Sequence, residues 1–124
     1  MQTRQLGGLW PVSALALGGG GIGQLWGKTN RDECVATVHA AIDAGITLLD
    51  LAPTYGMGEA ENVIGAAFNG RLPGGIRVTT KCRLGTTDPA EVEKTLTDSL
   101  TASLKRARLE RVDVFLLHSN IVPD

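Results

Sequence analysis

Two short runs decide how this chain reads: Ile46-Thr47-Leu48-Leu49-Asp50 and Ile76-Arg77-Val78-Thr79-Thr80-Lys81. Both are rich in apolar and β-branched residues, which suit a pleated, covered surface. Both end on a charged side chain. Between them, Glu59 to Phe68 reads as a helix: acids stand in its first turn, where they oppose the positive helix end, and Gly70 follows its last turn. A strand, a helix and a strand in this order argue for a parallel sheet with a right-handed crossover.

The pattern extends in both directions. Ala14-Leu15-Ala16-Leu17 is an apolar run stopped by four glycines. Cys34, Val38 and Ile42 recur at i+4 and make a helical stripe. Asn30 is placed to cap that helix and Gly45 to follow it. In the next helix Asp88 caps, Pro89 takes the first position, and Glu91 stands three residues after the cap. Val92, Leu96, Leu100 and Leu104 line its face, and Lys105, Arg106 and Arg108 suit its negative end. Val112 to His118 is a fourth strand. The order is β-α-β-α-β-α-β. A doubly wound open sheet and a (β/α)8 barrel both carry this order. A barrel needs ~250 residues, and the four strands and three helices here are about half of one.

Composition narrows the class. Hydrophobic residues are 43% and charged residues 20% of the 124, and the net charge is -1. These values fit a globular domain rather than a disordered tail. No basic surplus stands ready for nucleic-acid phosphates, and two Trp, two Phe and one Tyr give few stacking platforms. No apolar run approaches the ~18 residues of a membrane helix, and the start lacks the pattern of a signal peptide. Cys34 and Cys82 form no Cys-x-x-Cys and no cluster of metal ligands; they read as small buried hydrophobes in a reducing cytoplasm.

Sixteen glycines are about twice the usual share. Gly18-Gly19-Gly20-Gly21-Ile22-Gly23 matches G-x-G-x-x-G and follows a strand, with Asp50 ending the next strand. That is the arrangement of a dinucleotide fold, except that Gln24 to Asn30 intervene before the helix cap. Gly27-Lys28-Thr29 resembles the end of a phosphate-binding loop, but Ile22 stands where that motif needs Gly. The third reading is a glycine-rich βα loop that lets backbone approach a flat ligand.

Four side chains converge on chemistry. Asp50, Lys81 and His118 end successive strands, and Tyr55 follows Asp50 in the loop Ala52 to Gly58. Parallel barrel strands open their C-terminal ends on one face. Alternation puts Leu48, Thr79 and Leu116 on the same face as these side chains, and Leu49, Thr80 and Leu117 toward the helices. Phenols ionise near pH ~10, and a neighbouring ammonium such as Lys81 favours the phenolate. Asp50 can hold that ammonium charged, and His118 can orient a substrate oxygen. A tuned phenol suits protonation of a carbonyl oxygen as hydride reaches its carbon. The hydride comes from a cofactor, because no side chain supplies one.

Leu48-Leu49-Asp50-Leu51-Ala52-Pro53-Thr54-Tyr55-Gly56-Met57-Gly58-Glu59-Ala60-Glu61, with Thr80-Lys81 and Leu116-Leu117-His118, resembles the aldo-keto reductases over nearly the whole chain. The resemblance implies a (β/α)8 barrel and reduction of aldehydes or ketones with NADPH, NADH being the other candidate. It implies Tyr55 as general acid, Asp50 and Lys81 as its tuning pair, and His118 as substrate orienter. Gly20 and Gly21, with Asp50, fall on the cofactor side, and Trp26, Tyr55 and His118 on the substrate side. No metal is implied. Leu51 stands where Thr is common in the signature, and Glu59 and Glu61 remain helix-start acids. The family's later strands supply most dinucleotide contacts. Residues 1–124 are therefore expected to be the N-terminal part of one barrel domain, truncated after its fourth strand. A small-molecule carbonyl compound is the expected partner, with neither nucleic acid nor membrane. Exposed sheet edges would also permit self-association.

Overall fold

The computed structural model describes residues 1–119. The expected domain extends to 124, so its last five residues lie outside the described ones. A short antiparallel hairpin opens the chain: β1 (Thr3–Gln5) pairs with β2 (Pro11–Ser13). Four parallel strands follow: β3 (Leu17–Gly18), β4 (Leu48–Asp50), β5 (Arg77–Cys82) and β6 (Val114–Leu117). The sheet order is β3-β4-β5-β6.

That order separates the two architectures. A doubly wound sheet reverses its strand order at a switch point. Here each strand lies beside the one before it, and right-handed crossovers between such neighbours put every helix on one face. This is the arrangement of a (β/α)8 barrel wall, of which four strands are present. The helices are α1 (Gly19–Ile22), α2 (Arg31–Asp43), α3 (Glu59–Phe68) and α4 (Val92–Ala107). Helix α3 packs against both α2 and α4. Ile22, Cys34, Val38, Leu49, Leu51, Ala60, Val63, Ile64 and Val78 form the core between sheet and helices.

The local signals act largely as read. The Asn30 side chain accepts from Glu33 N at 3.0 Å, and Glu33 completes a capping box. Gly45 has φ +91°, the left-handed geometry that ends α2. The Asp88 side chain accepts from Ala90 N at 2.8 Å, but it opens a 3₁₀ turn (Pro89–Glu91) before α4 begins. Leu49 and Thr80 are buried beneath the helices as alternation requires, whereas Leu117 is exposed.

Three differences are informative. The first parallel strand is Leu17–Gly18, not Ala14–Leu17, because Ser13 ties down the stretch before it: its N–H donates to Thr47 Oγ1 and its hydroxyl accepts from Thr47 N, both at 2.8 Å. The glycine run is not a loop, since Gly19–Ile22 forms one helical turn directly after β3. The hairpin was invisible because Thr3-Arg4-Gln5 is polar and fully exposed. No helix among the described residues is long and apolar enough to cross a membrane.

Candidate active site

Strand register builds the site. Asp50 is paired with Thr79 across β4 and β5, and Lys81 stands two residues beyond Thr79 on the same face. The Lys81 ammonium therefore arrives beside the Asp50 carboxylate. Lys81 Nζ donates to Asp50 Oδ1 at 2.7 Å, to the Leu51 carbonyl at 2.8 Å and to Tyr55 Oη at 3.3 Å. Its side chain is only 11% exposed. Burying an ammonium is costly unless its three donors are met, and here three acceptors meet them. Thr79 Oγ1 donates to the same Asp50 Oδ1 at 2.7 Å.

Tyr55 is held from below by glycines. A Cβ on Gly19 would stand 2.9 Å from both the Asp50 carbonyl oxygen and Tyr55 Cδ2. One on Gly23 would stand 2.8 Å from the Tyr55 backbone. Gly56 has φ +66° and lies against the Gly23 carbonyl, so only Gly serves there. The helical turn α1 thus presses on the Asp50–Tyr55 segment and fixes the phenol over Lys81, whose Nζ is 4.8 Å from the ring centroid.

His118 completes the group from β6. Its N–H donates to the Cys82 carbonyl at 2.7 Å, which continues the ladder one step past the strand. Its ring meets Tyr55 edge-on, with centroids 5.8 Å apart. Nδ1 lies 3.4 Å from Thr54 Oγ1. Burial, then the positive charges of Lys81 and Arg83, lower its pKa below the usual 6.5, against a smaller opposing pull from Asp50. That direction favours the neutral imidazole. A cleft of about 550 Å³ opens beside it, lined by Lys81, Arg83, Leu116, Leu117, His118 and Ser119.

All four expected catalytic residues thus meet at one end of the sheet. Gly20 and Gly21 do not touch them: both lie beneath Trp26, which is 81% exposed at the rim. Gly19 and Gly23 make the contacts instead, and no sequence signal distinguishes them within the run. Glu61 is a first-turn acid of α3, as expected, and it is fully buried. It accepts from Thr80 Oγ1 at 2.7 Å and Arg106 Nε at 2.6 Å, tying α3 to β5 and α4. Glu59 is half-buried and paired with the exposed Arg31.

Comparison with known proteins identifies the family. Residues 14–123 match the model of the Aldo/keto reductase family. The chain is 30% identical over 123 residues to the NADH-specific methylglyoxal reductase of Escherichia coli (strain K12), covering 87% of this chain and 37% of that protein. It is 43% identical over 58 residues to the aldo-keto reductase YhdN of Bacillus subtilis (strain 168), covering 46% of this chain and 18% of that one. Among solved structures, an aldo-keto reductase from Klebsiella pneumoniae in complex with NADPH superposes with TM-score 0.78 at 29% identity, over 97% of this chain and 40% of that one. The chain spans well under half the length of these relatives. It belongs to the aldo/keto reductase family of oxidoreductases.

Proposed function

We propose that this chain carries the proton-transfer half of a nicotinamide-dependent carbonyl reductase, with Tyr55 as the acid and Asp50, Lys81 and His118 as its support. One observation carries the reading: a single buried ammonium, Lys81, binds Asp50, the Leu51 carbonyl and the Tyr55 hydroxyl together.

The residues present fit the nicotinamide end of such a cofactor. Gly18 is the register partner of Asp50, and nothing lies within 4 Å of where its Cβ would stand. A flat ring can therefore lie against backbone beside the Asp50 carboxylate. Asp50 and Gly18 would hold that end, whereas Gly20 and Gly21 lie beneath Trp26 and would meet the ring only if that side chain moved. NADPH is the first candidate, as in the Klebsiella structure, and NADH the second, as in the E. coli relative. When bound, the cofactor supplies hydride to the carbonyl carbon.

The chain's own residues handle the proton. Tyr55 Oη gives its proton to the carbonyl oxygen. Negative charge then grows on Oη, where the Lys81 ammonium already donates, so no reorganisation is needed at that moment. Asp50 holds the ammonium in place through the 2.7 Å contact. Neutral His118 turns Nδ1 toward Thr54, leaving Nε2 to orient the substrate oxygen. Trp26 offers a flat apolar surface at the rim for the organic part of an aldehyde or ketone. Two buried free thiols suit a reducing compartment such as the cytoplasm.

Steady-state oxidation of NADPH or NADH with an aromatic aldehyde tests the assignment. The wild-type protein reduces the aldehyde. Tyr55→Phe lowers kcat by about 10²- to 10⁴-fold, and Lys81→Met is comparably severe. A Tyr55→Phe variant at full rate removes Tyr55 from the mechanism.

A second reading is association through the sheet edge. Leu116 and Leu117 of β6 are both exposed, which favours pairing with a further strand, in this protein or a second copy. Sedimentation that stays monomeric at high concentration argues against the second copy.

A further inference from the structure

We propose that Thr79 is a positioning residue that aims the Asp50 carboxylate at Lys81. The inference rests on the reductase reading above and extends it to a residue outside the four that carry the proton chemistry.

The argument begins with exposure. The Asp50 side chain is 38% exposed, so water competes for both of its oxygens. Charge attraction draws a part-exposed carboxylate toward the ammonium but leaves open which oxygen makes the contact and at what angle. Thr79 settles both. It is the register partner of Asp50 on the adjacent strand, so the two side chains stand side by side on one face. It is buried, and its branched Cβ leaves χ1 little freedom. The hydroxyl is therefore pre-aimed, and it donates to Oδ1 at 2.7 Å.

The same oxygen receives Lys81 Nζ at 2.7 Å. Two donors spaced i and i+2 on β5 thus converge on one atom of β4. One donor alone would let the carboxylate pivot about it. With two, the carboxylate is held at a defined angle, and Lys81 keeps the orientation that reaches Tyr55 Oη. Thr79 itself touches neither Tyr55 nor Lys81 through its hydroxyl. Its effect on the reaction passes through Asp50.

Thr79→Val removes the hydroxyl and keeps the shape; Thr79→Ser keeps the hydroxyl. In steady-state carbonyl reduction, Thr79→Val is expected to lower kcat about tenfold, ~1.4 kcal/mol in the barrier, with KM for the carbonyl compound within about twofold. Thr79→Ser recovers most of the rate, which a purely steric role would not give. A crystal structure of Thr79→Val is expected to show Asp50 turned away, with its nearest oxygen beyond about 3.5 Å from Lys81 Nζ, outside hydrogen-bond range.

The outcomes separate. A Thr79→Val structure that keeps the 2.7 Å Asp50–Lys81 contact overturns the positioning role, whatever the activity. An active wild-type protein with an equally active Thr79→Val also overturns it and leaves the reductase reading standing. A wild-type protein with no carbonyl reduction overturns that reading, and the catalytic part of this inference with it.

Discussion

Removing the Glu61 carboxylate should cost this fold a large share of its stability. The Glu61 side chain is 1% exposed and receives two donors, Thr80 Oγ1 and Arg106 Nε. Glu61→Ala strands both. The Thr80 hydroxyl is buried, and an unmet buried donor costs about 1 to 3 kcal/mol. Breaking a fully buried ion pair costs about 3 to 5 kcal/mol. The Arg106 side chain is 29% exposed and recovers part of its hydration, so that share is discounted. A total of about 3 to 4 kcal/mol remains, against ~5 to 15 kcal/mol for a whole domain. Glu61→Gln keeps the volume and one acceptor oxygen, which can face Arg106 while the new amide N–H donates to the Thr80 hydroxyl, and this puts its cost at about 1 to 2 kcal/mol. Urea unfolding followed by far-ultraviolet circular dichroism measures both. With an m-value of about 2 kcal/mol/M, Glu61→Ala lowers the midpoint by about 1.5 to 2 M and Glu61→Gln by roughly half that. If both variants unfold within about 0.3 M of wild type, the buried pair does not brace the fold and the reasoning fails.

Two further predictions follow from named contacts. Gly19→Ala drives a Cβ to 2.9 Å from the Asp50 carbonyl oxygen and Tyr55, whereas in Gly20→Ala it meets only the rim of the exposed Trp26 ring, which can swing aside. Thermal melts should show Gly19→Ala destabilised by about 2 kcal/mol or more and Gly20→Ala by less than about 1; equal effects would contradict the packing. Because burial and Lys81 hold the His118 pKa below 6.5, the folded state binds fewer protons here than the unfolded state. This group's contribution to stability is therefore level above about pH 6.5 and falls as pH drops from there toward the lowered folded value. Proton NMR should place the His118 midpoint below 6.5 and move it upward in Lys81→Met. A midpoint at or above 6.5 in the wild type would show that the ring is not held neutral.

Much of this was legible in the sequence because strand-end chemistry and helix caps are local. Asp50, Lys81 and His118 announce themselves as polar groups that end apolar runs, and a parallel sheet has no choice but to bring such ends together. Asn30, Gly45 and Asp88 act within a few residues of themselves. What escaped depends on register and on long-range packing. Alternation puts Thr79 on the site face and Thr80 toward the helices, but only the register pairs Thr79 with Asp50 and leaves Thr80 to bond Glu61. Glu61 reads like Glu59, since both are first-turn acids. Their separate fates depend on α4 bringing Arg106 across. Within the glycine run, Gly19 and Gly23 matter because the Asp50–Tyr55 segment lies on them, a contact between residues more than thirty positions apart. The opening hairpin is polar on both faces of β1 and carries no periodic signal.

Direct transfer of hydride is the most immediate test of the central claim. The protein is incubated with an aromatic aldehyde and NADPH, or NADH, carrying deuterium at both C4 positions of the nicotinamide, and the product is read by mass spectrometry. The account predicts an alcohol bearing that deuterium on its carbinol carbon in the wild type, and almost none from Tyr55→Phe. An alcohol without the label, no alcohol with either cofactor, or equal labelled product from Tyr55→Phe would contradict it.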